Sequence, residues 1–430
     1  MQTDRGASSP AYPRYVLGVL WLVYVANFVD RQVIAILLEP IKRELGASDT
    51  AMGFLSGFAF ALFYTFAGIP VARWADRSSR TAILAAGVAV WSLFTAASGL
   101  ARSFAELALA RVGVGIGEAA GTPPSHSLIS AYFPPGSRAT ALSIYASGVY
   151  VGSMLAYLGG SWVLTHFDWR TVYLLVGLPG IALALLVRFT VREPPRAAPS
   201  GAVTGQGAAP GTLAVIRELL SRRSFVFIVL AGSCQSLSGY ATLAWGPAFL
   251  GRVHGLAPVE IGAWLGLVIG IGGSLGVFLG GMLADRLGAI DPRWVPRLCA
   301  LQCLSSFPFL LGFLLLGTPR AALLCFAPAY TLAAMYVGPM LAMVQGIARP
   351  ETRATASALH LFILNMVGLG AGPLLVGLGD DRVFAAFGSH AIRYSLVSAG
   401  VIAALGSLVF LLVARTLRAD LADASEPARR

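Results

Sequence analysis

About twelve apolar runs, each long enough to cross a bilayer as a helix, follow one another along the 430 residues of this chain. They lie near 14–38, 50–72, 80–101, 104–131, 138–165, 169–192, 224–250, 259–284, 294–317, 320–348, 354–378 and 392–415. In lipid, every backbone N–H and C=O must be satisfied inside the segment, so runs of this length predict helices. The chain therefore reads as an all-α membrane protein. Charged residues are only 12% of it and hydrophobic residues 57%. A soluble domain carries about 25% charged residues and could not cover its surface with so few.

The net charge of +11 rests almost wholly on arginine, because Lys42 is the only lysine. Such a balance can signal nucleic-acid binding, but here the arginines follow the membrane. With the N-terminus inside, inner segments hold 21 of the 31 Lys and Arg, including Arg73, Arg188, Arg222, Arg293, Arg297 and Arg415, and outer segments hold eight. That bias predicts cytoplasmic N- and C-termini and an even number of spans. It points to a multi-pass protein of the cell (inner) membrane with no nucleic-acid partner. The four cysteines all fall inside spans, where they read as small packing residues rather than metal ligands or disulfides. No metal and no cofactor is expected. The polar first thirteen residues and the long first run argue against a cleavable signal.

Two short words recur about half a chain apart. Ala75-Asp76-Arg77 returns as Ala284-Asp285-Arg286, 209 residues later, and Arg138-Ala-Thr-Ala141 as Arg353-Ala-Thr-Ala356, 215 residues later. Each word lies in a polar break between spans. Related halves of this kind are the signature of transporters built from repeats. The expected organisation is a tail (1–13), a six-helix bundle (14–193), a linker (194–223), a second six-helix bundle (224–418) and a tail (419–430). The linker centre, Pro194–Gly211, is a Pro/Gly/Ala tract, and Leu213, Ile216, Leu219 and Leu220 after it have the spacing of a short interfacial helix. Pro123-Pro124 predicts a sharp irregularity in the fourth span.

Charges inside spans mark the candidate site. Asp30 and Arg31 lie deep in the first span, and Arg111 and Glu118 deep in the fourth. Each costs about 2.5–3.5 kcal/mol at the bilayer centre, so intramembrane charges are functional candidates by default; the plainer reading is a structural salt-bridge cluster. Asp30 is about 25 Å along a rising first span and Arg111 about 10 Å along a descending fourth, so the two reach similar depth and could pair. Tyr24, Asn27, Asp30 and Arg31 form a polar stripe, and Thr122 continues the face of Arg111 and Glu118. Asp30 and Glu118 are the expected proton carriers, with Arg111 and Arg31 as counter-charges. Apolar surroundings and nearby arginines act on a carboxylate in opposite directions, which suits a proton-coupling device. The second half has no matching set. It offers Gln235, Tyr240, Tyr330, Tyr336, His360 and Asn365, and the first half adds Tyr150. A cavity charged on one side and apolar and aromatic on the other fits a small amphiphile with a greasy tail. Asp76, Arg77, Arg80, Arg138, Asp285, Arg286 and Arg353 stand at the cytoplasmic helix ends as candidate gate residues. A topological arginine excess alone would not require the acids.

Ala72-x-x-x-Asp76-Arg77-x-x-Arg80 and Gly281-x-x-x-Asp285-Arg286-x-Gly288 resemble the two copies of the signature loop of the major facilitator superfamily. Arg111-x-x-x-Gly115 is similar to its fourth-helix motif, whose arginine is tied to proton coupling. The resemblance covers about 400 residues. It implies twelve transmembrane helices in two pseudo-symmetric six-helix bundles. Ala72 and Ser79 stand where glycine is usual, which implies a looser first latch. Asn27-x-x-Asp30-Arg31 is shared by Spinster-like transporters and organic-anion symporters; Arg111-Val-Gly-Val-Gly-Ile-Gly-Glu118-Ala119, with Arg138-x-x-x-Leu-Ser-Ile144, looks more like Spinster. That family implies a lysolipid or sphingoid-phosphate type of substrate, with Asp30, Arg111 and Glu118 as coupling residues.

The expectation is a proton-coupled secondary transporter working by alternating access, with substrate, protons and membrane lipid as partners and a monomer as the default. An organic-anion transporter of the same fold, or a gradient-independent facilitator or lipid scramblase, are the alternatives. An enzyme is disfavoured: Ser125-His126 has no carboxylate near it in sequence, and the Gly113-x-Gly115-x-Gly117 run lacks a preceding strand.

Overall fold

The computed structural model describes residues 11–194, 212–349 and 352–425, and these are helical almost throughout. In chain order they form α1 (Ala11–Leu45), α2 (49–77), α3 (Arg80–Ser98), α4 (Phe104–Glu118), α5 (Thr122–Tyr132), α6 (Pro135–His166), α7 (Trp169–Thr190), α8 (Thr212–Ser221), α9 (Arg223–His254), α10 (258–290), α11 (Trp294–Leu315), α12 (Pro319–Ala334), α13 (Val337–Ile347), α14 (353–383) and α15 (Ala391–Ser425). Among the described residues, eleven helical stretches are long and apolar enough to cross a membrane. α4 and α5, split by three residues, supply a further apolar segment.

Local chemistry sets the boundaries. Ser48, Ser79, Ser103 and Asp168 cap α2, α3, α4 and α7, their side-chain oxygens accepting from the amides of Ala51, Ala82, Glu106 and Thr171. The fourth span is interrupted as Pro123-Pro124 leads one to expect. α4 ends at Glu118, the chain turns through Ala119–Gly121, and α5 opens with prolines in its first turn, where a missing amide costs nothing. Wide π-helical turns interrupt α2 at Phe54–Phe58, α10 at Val268–Gly272 and α14 at Asn365–Ala371. Such turns often mark functional positions.

The described helices pack as two compact units, residues 11–37 with 62–194 and residues 38–61 with 212–349 and 352–425. The end of α1 and the start of α2 thus pack with the second half of the sequence, across the boundary at 193 that the apolar runs suggest. In the second unit, Phe225, Cys299, Met340, Val344 and Phe410 form one buried cluster, and Val215 and Leu219 of α8 join it. Leu213 of the same short helix stays exposed. The Pro194–Gly211 tract lies outside the described residues from position 195 onward. Leu93, Leu109, Leu178, Phe189, Phe278 and Leu405 are exposed, as befits helices whose outer faces meet acyl chains.

Between helices in lipid, close backbone approach replaces hydrophobic burial as the main source of association. Gly276 and Gly280 of α10 lie against the backbone carbonyls of Thr331 and Met335, where a Cβ has no room, whereas Gly281 faces open space. Gly280→Val is therefore expected to cost about 1–3 kcal/mol through overpacking and to lower the unfolding temperature in detergent. Gly281→Ala, measured in parallel, leaves it unchanged.

Candidate functional site

The four intramembrane charges meet in the first unit. Asp30, Arg111 and Glu118 are each 1% exposed. Arg111 of α4 donates from Nη1 to Asp30 Oδ1 at 3.0 Å. Arg31 of α1 donates from Nη2 and Nε to Glu118 Oε2 at 2.7 and 3.1 Å. Adjacent residues of one helix thus hold, in opposite senses, two residues seven apart on one face of the other. The set of two acids and two bases is electrically neutral. Its separate members would each be costly to leave unpaired in an apolar interior, on the order of 3–5 kcal/mol for breaking a buried pair.

Uncharged neighbours complete it. The hydroxyl of Thr95 on α3 donates to Asp30 Oδ2. The Arg31 guanidinium lies over the rings of Phe28 and Tyr64, 5.0 and 4.6 Å from their centroids. Asn27 Oδ1 accepts from Arg31 Nη2 at 3.5 Å. Glu118 Oε1, by contrast, is buried without a hydrogen-bond partner. Thr95 and Tyr64 were not among the residues singled out by sequence, since each sits in an apolar run where a hydroxyl reads as a packing residue. Beside the network, Tyr24 stacks on Tyr145 at 4.3 Å, and His126 meets the edge of Tyr145 at 5.4 Å. Thr122 and Tyr150 are half-buried in the same unit.

The polar residues named in the second half meet the following neighbours among the described residues. Gln235 on α9 is buried and spends its amide on α15, donating to the Ala403 carbonyl at 2.6 Å and Ser407 Oγ at 3.0 Å. Tyr336 belongs to the buried cluster near Phe410, and Tyr330 lies against Phe326. Tyr240 and Asn365 are half-buried. His360 is 1% exposed, and its Nδ1 has no hydrogen-bond partner.

At the arginine-rich helix ends, the candidate gate residue Arg80 is well partnered. It donates to Glu193 Oε1 at 2.7 Å, Ser127 Oγ at 3.2 Å and the Pro194 carbonyl at 3.0 Å. Glu193 also accepts from Ser79 Oγ and the Thr81 amide. Arg138 donates to the Ser130 carbonyl at 2.9 Å. Arg77, Asp285, Arg286 and Arg353 are exposed, and the Asp76 side chain lies outside the described residues.

A second charge cluster, in the second unit, was not anticipated. Arg252 near the end of α9 donates to both carboxylate oxygens of Asp49, at 2.6 and 2.9 Å, and to Glu39 of α1. Asp380 of α14 stands 3.5 Å from the same guanidinium, and Lys42 pairs with Asp49 at 2.7 Å. Asp381 accepts from the Asp49 and Thr50 amides, a carboxylate at the positive end of α2. Gly377 abuts the Asp49 carbonyl so closely that a Cβ would collide.

Residues 20–373 match the sequence model of the Major Facilitator Superfamily. The chain belongs to the major facilitator superfamily. Within it, the similarity runs to Spinster. The human protein spinster homolog 1 is 30% identical over 96% of this chain and 82% of its own length. An MFS-type efflux pump of Mycolicibacterium smegmatis is 35% identical over 95% of this chain and 94% of its own length. A crystal structure of a bacterial homolog of the human lysosomal transporter Spinster, inward-facing and unoccupied, superposes with a TM-score of 0.86 at 31% identity, covering 96% of this chain and 99% of that one. The chain is thus a Spinster-like facilitator-superfamily transporter and an integral, multi-pass membrane protein. The matched stretch includes both copies of the Ala-Asp-Arg word, at 75–77 and 284–286.

Two predictions follow from these charge clusters. Burial alone would raise the Glu193 carboxyl above its ordinary 4.5, but hydrogen bonds from Thr81, Arg80 and Ser79 outweigh it and bring it to about 2. A lowered folded-state value stabilises above the ordinary value and is lost as pH falls toward the folded one. The gap in unfolding temperature between the wild type and Glu193→Gln should therefore be full at pH 7 and shrink between pH 4.5 and pH 2. Arg252→Gln should destabilise by leaving three carboxylates close together, and Asp49→Asn should restore part of the loss. A double-mutant cycle is expected to give a coupling of about 0.5–3 kcal/mol, and additive effects would show that the pair is inert.

Proposed function

We propose that this transporter moves an amphiphilic, lipid-like substrate in exchange or in company with protons, by alternating access. The observation that carries the reading is the closed set of Asp30, Arg31, Arg111 and Glu118, two ion pairs buried between α1 and α4. A proton delivered to Asp30 or Glu118 neutralises one member of a pair and frees an arginine to meet an anionic head group. Separating an ionised pair costs about 3–5 kcal/mol, while one charge crossing 100 mV gains about 2.3 kcal/mol. Protonation before separation removes most of the electrostatic cost, so the proton gates the movement. Glu118 Oε1, buried without a partner, is the natural place for the proton to arrive.

Three features support the amphiphile. Asp30, Arg31, Arg111 and Glu118 belong to the first unit, while Tyr330, Tyr336, His360 and Asn365 of the second are aromatic or uncharged, in keeping with an apolar tail. The likeness to Spinster homologues agrees, and the likeness to an efflux pump favours export. The arginine bias puts both termini in the cytoplasm. Arg80, Asp76, Arg77 and Arg138 in the first unit, and Asp285, Arg286 and Arg353 in the second, are then the proposed gate residues at the cytoplasmic helix ends.

The test is flux into proteoliposomes of lysophospholipid, sphingoid phosphate and a hydrophilic organic anion, with and without an imposed pH gradient. The wild type should move a lipid-like substrate faster with the gradient. Asp30→Asn and Glu118→Gln should each reduce gradient-driven flux at least tenfold while retaining gradient-independent exchange. Flux indifferent to the gradient in wild type would identify a facilitator instead, and transport of the organic anion alone would remove the amphiphile.

A further inference from the structure

The arginine bias that orients the protein does not explain why three arginines share one cleft. Arg293 and Arg297, at the start of α11, and Arg415, near the end of α15, line a cleft of about 390 Å³ whose other lining residues are Leu411 and Ala414. Among the described residues, no carboxylate forms an ion pair with any of the three. The nearby Asp291 accepts from the backbone amide of Arg293 at 2.9 Å rather than from a guanidinium. The Nε of Arg293 is buried without a hydrogen-bond partner. Three like charges repel one another, and gathering them without an acid is favourable only where an anion completes the set.

The surroundings say which anion. Leu301 and Leu304 follow Arg297 on α11 by four and seven residues, and Leu411 and Leu408 precede Arg415 on α15 by the same steps. At this spacing they share the arginines' helix faces, and all four are exposed, at 64, 43, 44 and 47%. Two greasy stripes therefore run from the cleft along the helices. Trp294, 43% exposed, carries the Arg297 guanidinium over its ring at 5.2 Å. Exposed tryptophan beside arginine is the mark of the head-group level of a bilayer. A free phosphate would use the arginines and leave the stripes idle; a phospholipid uses both.

We propose that Arg293, Arg297 and Arg415 form a binding site for the phosphate of an anionic phospholipid, whose acyl chains lie along the leucine stripes of α11 and α15. The site lies wholly in the second unit and uses no residue assigned to transport. Guanidinium forks match phosphate oxygens in pairs, which favours arginine over lysine here. The bound lipid ties the start of α11 to the end of α15 and so holds together two helices of the second bundle.

The experiment uses the purified full chain, stripped of lipid in neutral detergent, with phosphatidylglycerol, phosphatidylcholine and inorganic phosphate as probes. Bound lipid is counted by native mass spectrometry, and stabilisation is read from thermal unfolding. Phosphatidylglycerol should bind and raise the unfolding temperature. R293Q/R297Q/R415Q should weaken that binding at least tenfold, and the corresponding triple lysine variant should recover part of it. Should the triple variant not fold, R297Q and R415Q, both at exposed positions, should each weaken binding about threefold, about half of the tenfold unit of affinity on a logarithmic scale. Equal binding of phosphatidylcholine, or unchanged affinity in these variants, would overturn the proposal. Stabilisation by inorganic phosphate to the same extent would show an anion site with no lipid selectivity, which equally overturns it.

Discussion

An ionised group inside a membrane protein must bring its counter-charge with it, and the rest of this molecule is arranged around that requirement. Asp30 and Arg31 are neighbours on α1, as close as two opposite charges can be in sequence, yet they do not neutralise each other. Each looks across to α4 for its partner. The consequence is that α1 and α4 cannot slide past one another without exposing charge, unless a proton or a ligand takes a partner's place. A neutral pair of hydrophobic residues would hold the helices as well or better. What the ion pairs add is a contact that can be undone by chemistry.

The break in the fourth span belongs to the same design. Glu118 is the last residue of α4, so its carboxylate stands at the helix end where backbone carbonyls already concentrate negative charge. Arg31 offsets both. A continuous helix would carry Glu118 in mid-span; here its carbonyl instead accepts from the Gly121 amide at 2.9 Å, and the Ala119–Gly121 turn and the prolines that open α5 set its carboxylate at a helix end. The Arg252 cluster applies the same physics at another level of the molecule. One guanidinium collects carboxylates from α1, α2 and α14, and Asp381 uses the amides at the start of α2. A single arginine shared among several acids is a contact that forms or dissolves as a unit.

Much of the site was legible in the amino-acid sequence because helical rise is fixed. Once polar breaks located the ends of the first and fourth spans, counting residues at 1.5 Å each placed Asp30 and Arg111 at one depth, and they are hydrogen-bonded. The proline pair likewise announced the interruption near Glu118. Helix ends were less legible: α1 runs to Leu45, beyond its apolar stretch, since hydropathy reports lipid thickness and not where the backbone stops winding. Thr95 and Tyr64 were hidden among apolar neighbours. Glu193 resembled any polar residue after a span. Glu39, Asp49, Arg252 and Asp380 come from segments far apart in the chain, and only the packing of residues 38–61 with the second half brings them together.

The central claim is that a proton resides on the α1–α4 network during part of the transport cycle. Infrared difference spectroscopy of the reconstituted protein, with and without a lysophospholipid substrate and across a pH series, reads this directly through the C=O stretch of a protonated carboxylic acid. The account predicts such a band that changes with substrate, vanishes in Glu118→Gln or Asp30→Asn, and shifts in hydrogen–deuterium exchange. Carboxylates that remain ionised at every pH, substrate or none, would contradict it and leave the two ion pairs as structural bolts.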